Sequence, residues 1–380
     1  GDHRDLHSFP TRRSSDLQFD WYADEARRIL GHTLGGRDPG VSLDVRYRPV
    51  GPVAAFTAWN FPALLPARKM AAALAAGCTV ILKPSEETPF SAYLFAQAAK
   101  EAGLPDGVLG VVTGDPAEVS RHLIASPVIR KVSLTGSVPV GKLIMKLCSE
   151  GLKRLSLELG GHAPVLVFDD VDPVVAAKAC ASAKFRNNGQ VCISPSRFYV
   201  HSGIKDAFSS AMAEAAKALK LGSGVDPEVT CGPMINGRGR DRVEKLVKDA
   251  VERGASILAG GQRPSDFNRG FFFEPTVLGD VPDDARVMTE EPFGPVAPIS
   301  AFDDEDEVIA RANATPFGLA GYVFSTSLAQ AHRAADALEV GMVGVNDMLL
   351  AAAEIPFGGV KESGFGREGG QLGILDYLEP

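Results

Sequence analysis

The chain has 380 residues, 45% of them hydrophobic and 23% charged, with 40 glycines, 26 prolines and a formal net charge of -8. This is an ordinary globular composition, long enough for two domains with separate cores. The acidic balance leaves no basic stripe for phosphate backbones, which excludes a nucleic-acid partner, and no apolar run reaches the ~20 residues of a bilayer span, which argues against a membrane partner. Five cysteines (Cys78, Cys148, Cys180, Cys192, Cys231) are odd in number and widely spaced. That pattern suits a reduced, cytoplasmic protein better than a disulfide framework. Without a Cys-x-x-Cys pair, and with scattered histidines, no metal site is expected.

Residues 1–17 (GDHRDLHSFPTRRSSDL) show no helical or strand periodicity and no apolar signal core. They read as a non-native or disordered tail, similar to translated adapter or assembly read-through. From Trp21 the segment WYADEARRIL predicts a helix ending before Gly31. Gly35, Gly36, Pro39 and Gly40 between two alternating stretches predict a hairpin over 31–49. Strands over 53–57, 79–82, 108–112 and 131–134 then alternate with helices over 63–76, 91–102 and 116–125. Such alternation predicts a parallel sheet covered by helices, with ligands beyond the carboxyl ends of its strands. A second alternating set from 163 to 345, with helices over 206–221 and 241–253, predicts a second α/β domain.

Cys192 closes the octapeptide FRNNGQVC, whose amides, glycine and arginine make a tight, locally cationic turn rich in donors. The residues alone leave a nucleophile and a buried filler evenly matched. Glu158, a carboxylate before Gly160 and Gly161, favours the nucleophile. Asn60 follows a strand and could present an oxyanion donor, or cap the next helix. Lys83, Ser85 and Glu86 could hold ribose hydroxyls or cap a helix. Gly136 and Ser137, with Gly141 beyond, place a helix N-terminus after a strand, an arrangement that suits phosphate. The literal G-x-G-x-x-G over 364–369 follows no buried strand and stands too near the end of the chain to be a dinucleotide loop.

The segments TAWNFP, KPSEETP, LTGS, LELGG, FRNNGQVC, EEPFGPV and PFGGVKESGFGREGG occur in this order. Over residues 18–380 the chain resembles the NAD(P)-dependent aldehyde dehydrogenases, and most of all the succinate-semialdehyde dehydrogenases. The resemblance implies an α/β fold of the aldehyde dehydrogenase type. It divides the chain into a Rossmann-type cofactor domain (18–160, with 31–49 as a small β oligomerisation hairpin), a second α/β catalytic domain (161–362) and a C-terminal return (363–380). It implies a homodimer or homotetramer for the full-length family member, and it places both ends of the present chain inside the family's length.

The resemblance also assigns roles. Cys192 is the nucleophile toward a small aldehyde, Asn60 the oxyanion donor, and Glu158 the base that activates water against the thioester. Lys69 and Glu368 match positions that relay the proton of Glu158. Thr57, Trp59, Lys83, Ser85, Glu86, Gly114, Gly136, Ser137, Val140, Leu159, Glu291 and Phe293 match cofactor contacts. Glu86, facing the adenosine ribose, would repel a 2′-phosphate, so NAD is expected rather than NADP. Arg68 and Arg186 match the carboxylate clamp of the semialdehyde enzymes, with Phe61 and Phe357 beside the substrate. Two departures stand against that clamp: Ala351 replaces its serine, and Ser194 replaces the family's redox partner cysteine. The alternatives are an aldehyde without a carboxylate, a CoA-acylating reaction, which Glu158 disfavours, a cysteine hydrolase, which lacks a histidine partner, and an inactive fragment.

Overall fold

The computed structural model describes residues 10–380, with side chains from residue 14. The chain forms two compact units. The first runs to Leu159 and takes up Ala351–Gly358 and Gly364–Pro380; the second comprises Gly160–Leu350 with Gly359–Ser363. The sequence reading assigns Ala351–Gly358 to the catalytic domain. Backbone pairing decides otherwise, because Gly370 N–H donates to the Ala353 carbonyl at 2.7 Å and Phe357 exchanges hydrogen bonds with Glu368.

The first unit opens with helix α1 (Pro10–Glu25). This differs from the reading of 1–17 as a tail and of a helix that starts only near Trp21, for the part of that segment that is described. Among the described side chains of α1, Ser15, Gln18, Tyr22 and Glu25 are buried, spaced three and four apart. The buried stripe is polar but for one ring, so a search for apolar periodicity misses it. Next come the hairpin β1 (His32–Gly35) and β2 (Ser42–Val45), then β3 (Arg48–Pro49). The hairpin pairs antiparallel, with Leu34, Val41 and Leu43 about half exposed.

The rest of the first unit alternates strand and helix: β4 (Val53–Phe56), α2 (Leu64–Ala75), β5 (Val80–Lys83), α3 (Phe90–Glu101), β6 (Leu109–Val111), α4 (Pro116–Ala125), β7 (Lys131–Thr135), α5 (Val138–Ser149) and β8 (Arg154–Glu158). Strands β6, β5, β4, β7 and β8 lie parallel in that order. The order turns back between β4 and β7, the switch point at which open sheets take ligands. One face, with Val53, Ala55, Val80 and Leu82, packs with Met70, Ala73, Ile374 and Tyr377. The other, with Ala54, Phe56, Val132, Leu134 and Leu157, packs with Ile124, Ile144 and Cys148.

The second unit runs β9 (Ala163–Val167), α6 (Pro173–Phe185), β10 (Pro195–His201), α7 (Lys205–Lys217), α8 (Gly237–Glu252), β11 (Ser256–Ala259), β12 (Thr276–Gly279), α9 (Arg286–Thr289), β13 (Val296–Phe302), α10 (Glu305–Asn313), β14 (Ala320–Phe324), α11 (Leu328–Ala337) and β15 (Met342–Val345). Its seven strands lie in the order β11, β12, β13, β10, β9, β14, β15. Only β11 runs antiparallel to its neighbour. The interior of the sheet is largely apolar, as expected of parallel strands covered on both faces, but Arg197 of β10 is buried there and donates to the His162 and Ala312 carbonyls at 3.0 and 2.8 Å.

The chain returns to the first unit as β16 (Gly364–Phe365), α12 (Gly370–Leu375) and β17 (Leu378–Glu379). β16 pairs antiparallel with β8 and β17 with β3. This explains why the glycine pattern over 364–369 is not a phosphate loop: its first two residues are an edge strand. Gly364 has φ +108°, and a Cβ there would meet the Leu157 carbonyl oxygen at 2.0 Å. Gly364→Ala therefore meets both backbone strain and a backbone clash. We expect a loss of at least ~2 kcal/mol in equilibrium denaturation.

Candidate active site

The carboxyl ends of the first sheet gather most of the cofactor positions expected from the sequence. Thr57 follows β4, and its buried Oγ1 has no hydrogen-bond partner in the protein. The Trp59 carbonyl accepts from Thr88 Oγ1 at 3.4 Å. Helix α2 is capped by Ala63 without a side-chain bond, so Asn60 is not its N-cap. Lys83, the last residue of β5, contacts Glu86 Oε2 through its ammonium group at 3.0 Å. Helix α3 is capped by Pro89, so neither Ser85 nor Glu86 caps it. Gly114 (φ +149°) follows β6 in a conformation that favours glycine. After β7, Gly136 N–H donates to the Glu158 carbonyl at 3.0 Å, Ser137 starts α5, and Val140 is exposed on its first turn. Gly141 is held against Leu159, whose Cδ1 would lie 2.5 Å from an added Cβ.

Behind this edge lies a buried charged cluster. Lys69 (α2), Glu158 (β8) and Glu368 are each at most 5% exposed. Lys69 Nζ ion-pairs with Glu368 Oε1 and donates to Ser133 Oγ at 3.0 Å. Neither oxygen of Glu158 has a hydrogen-bond partner in the protein. Burial pushes the Glu158 carboxyl well above the usual range and Glu368 pushes it further, against the opposing pull of Lys69, Arg68 and Arg367. A carboxyl with raised proton affinity takes a proton more readily than a solvated one, which suits a general base. Room for its carboxylate is made by Gly358, where an added Cβ would stand 2.8 Å from Glu158 Oε1. Arg68, also buried, lays its guanidinium 4.2 Å from the centroid of the Phe357 ring, and its Nε has no protein acceptor. Phe61 is buried in the same unit.

In the second unit Cys192 lies before β10 and is half-buried, whereas the other four cysteines are buried. The turn leading to it is strained. Asn187 (φ 48°), Asn188 (φ 57°) and Gly189 (φ 71°) take left-handed conformations in succession. At 189 only glycine fits, because a Cβ would meet the Gly294 carbonyl oxygen at 2.1 Å. The turn is held by side-chain amides: Gln190 Nε2 donates to the Asn187 carbonyl at 3.1 Å, and Gln190 Oε1 accepts from Ile235 N–H at 2.9 Å. After Cys192, Tyr322 donates to the Ile193 carbonyl at 2.7 Å. Strain held by surrounding structure at a reactive side chain is a feature of functional sites.

Arg186, on the same turn, is exposed. Glu291 and Phe293 precede β13, the latter with φ 45°. Glu291 Oε1 accepts from Gly161 N–H at 3.1 Å. Burial raises the Glu291 pKa to about 7, against the Gly161 hydrogen bond and the charges of Arg242 and Lys184. His162 pairs through Nδ1 with Ser196 Oγ at 2.8 Å, and both side chains are buried. Among the described residues no group of His, Cys, Asp and Glu side chains could hold a metal ion, and no helix is long and apolar enough to cross a membrane.

Residues 12–380 match the family model described as "Aldehyde dehydrogenase family". The chain belongs to the aldehyde dehydrogenase family. It is 48% identical to the glutarate-semialdehyde dehydrogenase of Pseudomonas putida over 95% of this chain and 74% of that protein. It is 46% identical to the succinate-semialdehyde dehydrogenase [NADP(+)] of Escherichia coli over the same shares, 95% and 74%. The crystal structure of succinate-semialdehyde dehydrogenase from Burkholderia pseudomallei superposes with a TM-score of 0.95 at 45% identity, covering 97% of this chain and 76% of that one. The chain is an oxidoreductase of the aldehyde dehydrogenase type, and the family acts on small aldehydes.

One expectation is overturned. Glu86 alone predicts NAD, yet several relatives at similar identity are named for NADP(+). The geometry supplies a reason: Glu86 is not a lone carboxylate, because the Lys83 ammonium compensates it at 3.0 Å. A charge already paired is a weak barrier to a phosphate.

Sequence reading passed over Lys131, Ser133, Lys184 and Gly358. The signal for the first two was present, since KVSLT puts polar residues at alternate positions of a central strand. Lys184 is fully buried, donates to Ser194 Oγ at 3.4 Å, and has its pKa lowered to about 7 by burial against the pull of Glu291. The pKa of Glu291 also predicts a stability effect. The folded state holds its proton above the ordinary carboxylate range, so ionisation costs stability as pH rises from about 4.5 to about 7. Glu291→Gln removes that cost. We expect urea melts of the variant and the parent to coincide near pH 4 and the variant to be more stable above pH 7, by roughly 1–3 kcal/mol.

Proposed function

We propose that this aldehyde dehydrogenase oxidises an aldehyde carrying a terminal carboxylate, of the succinate or glutarate semialdehyde class, with NADP as acceptor. The observation that carries the substrate class is Arg68. A buried guanidinium 4.2 Å from the Phe357 ring, outside every described ion pair and with Nε unmatched by the protein, suits a carboxylate partner. The names of the relatives, which specify succinate and glutarate semialdehydes, support the same reading. Arg186 is the second guanidinium of the clamp, and Ala351 leaves the carboxylate to the two arginines.

The residues present fit the cofactor. The orphaned Thr57 hydroxyl, the start of α5 at Ser137 and the Lys83 ammonium are groups that ribose and phosphate oxygens satisfy. Trp59, Gly114, Gly136, Val140 and Leu159 shape the groove, Glu291 and Phe293 hold the nicotinamide ribose, and Lys83 with Ser85 receives the 2′-phosphate. When bound, the cofactor supplies hydride acceptance, which converts the Cys192 adduct to a thioester.

Cys192 attacks the aldehyde carbon, and the oxyanion is held by the Asn60 amide and the Cys192 N–H, donors each worth ~10²–10³ in rate. Glu158 takes a proton from water as that water attacks the thioester, Cys192 leaves as thiolate, and Lys69 and Glu368 pass the proton on.

Three measurements test this. Cys192→Ala should abolish NADPH production from succinate semialdehyde, and turnover without Cys192 would overturn the mechanism. Glu158→Gln should keep a single-turnover burst of NADPH and lose steady-state turnover by ~10²-fold or more. Arg68→Ala should raise KM for succinate semialdehyde by ~10–100-fold while leaving propanal nearly unchanged; equal effects on both would refute the clamp.

A further inference from the structure

Central strands of parallel sheets are normally apolar on both faces. β7 and β8 break that rule on one face only. Lys131, Ser133 and Thr135 alternate along β7 with Val132 and Leu134, while Arg154, Ser156 and Glu158 alternate along β8 with Leu155 and Leu157. The parallel register sets Lys131 beside Arg154, Ser133 beside Ser156 and Thr135 beside Glu158. Six polar side chains thus form a seam on the face away from Val132 and Leu134, running from Glu158 at the carboxyl end to Lys131 at the amino end.

The seam is connected to the charged cluster. Ser133 Oγ accepts from Lys69 Nζ, the ion-pair partner of Glu368, and is hydrogen-bonded to the Tyr377 hydroxyl. Lys131 Nζ lies 4.9 Å from the centroid of the same Tyr377 ring. Lys131 is 1% exposed and takes part in none of the described ion pairs. Burying a lysine without a carboxylate costs several kcal/mol, which a purely structural position avoids with an apolar residue. The groups that face it are Asp376 and Tyr377 from the C-terminal return, Lys69 from α2, Arg154 from β8, Glu368, and the Cys78 thiol. Burial lowers its pKa to about 8, with Asp376 opposing, so near pH 7 it is still mostly charged.

We propose that Lys131 is a positioning residue for the hydrolytic step: its ammonium group, held at the far end of the seam, biases the Lys69–Glu368–Glu158 cluster toward ionised carboxylate, so that Glu158 is available as base. The effect is electrostatic and acts through Lys69 and Glu368. It rests on the assignment of Glu158 as base under the proposed function. Without the cation, Glu158 holds its proton more tightly, and the acid limb of turnover moves to higher pH.

The test compares the pH profile of kcat and the NADPH burst amplitude, at saturating NADP and succinate semialdehyde, for the full chain and for K131M, K131R and S133A. In K131M the acid limb should rise by roughly one pH unit, lowering kcat several-fold at pH 7, with burst amplitude and KM unchanged. K131R should restore the parental limb, and S133A, which cuts the link to Lys69, should shift it in the same direction as K131M. An unmoved limb in K131M, or a K131R limb displaced as far as that of K131M, would overturn the proposal. Should K131M fail to fold, S133A decides, and an unmoved limb there refutes the coupling. Turnover retained in Cys192→Ala would instead refute the Cys192 mechanism, so the two failures are distinguishable.

Discussion

Two carboxylates and two lysines are enclosed in the first unit where an ordinary α/β sheet would place aliphatic side chains. Charges removed from water cost several kcal/mol each unless partners repay them, and here the repayment is partial: Lys69 pairs with Glu368, while both oxygens of Glu158 lack a protein partner. Much of the local architecture follows from that burial. Gly358 and Gly366 are small because Glu158 and Asp376 occupy the volume a side chain would need. Antiparallel β16 closes the edge of β8 beside Glu158, so the residue before Leu159 is shielded on its strand by backbone rather than by solvent. The raised proton affinity of Glu158 is the chemical consequence.

The second unit solves a different problem, how to present a thiol without flexibility. Asn187 and Asn188 store strain in left-handed conformations ahead of Cys192, and the turn is kept there by Gln190, bonded to Asn187 and to the distant Ile235, and by the Gly294 carbonyl against Gly189. The asparagines tolerate this conformation better than most side chains. Of the amides in FRNNGQVC, those of Asn187 and Gln190 hold the turn, while Asn188 Oδ1 accepts from the Cys231 thiol.

Much of the fold was legible because its signals are local. Strand and helix alternation from 53 to 135 needs only apolar periodicity and turn residues, and the observed elements fall within a few positions of those expected. Only the end of helix α1 was legible, since its described buried side chains are Ser15, Gln18, Tyr22 and Glu25, whose burial depends on neighbours distant in the chain. The assignment of Ala351–Gly358 failed for a related reason, as its partners lie beyond residue 363. Glu86 misled because a carboxylate was read without its lysine, three residues earlier in the same segment. Helix caps at Ala63 and Pro89 likewise removed the bland alternatives for Asn60, Ser85 and Glu86, something no single-residue preference could decide.

Residue chemistry and order along the chain were enough to place this protein in its family, because motif identity is a property of contiguous sequence. Tertiary structure alone decided which of the charged residues are buried and what they face. Lys131 and Ser133 became a continuous seam with Glu158 only when two strands aligned in parallel register, and Lys69 met Glu368 only when the C-terminal return closed on the first sheet. The reason is physical: proton affinity is set by desolvation and by charges within a few ångströms, and neither is written in the separation of residues along a chain.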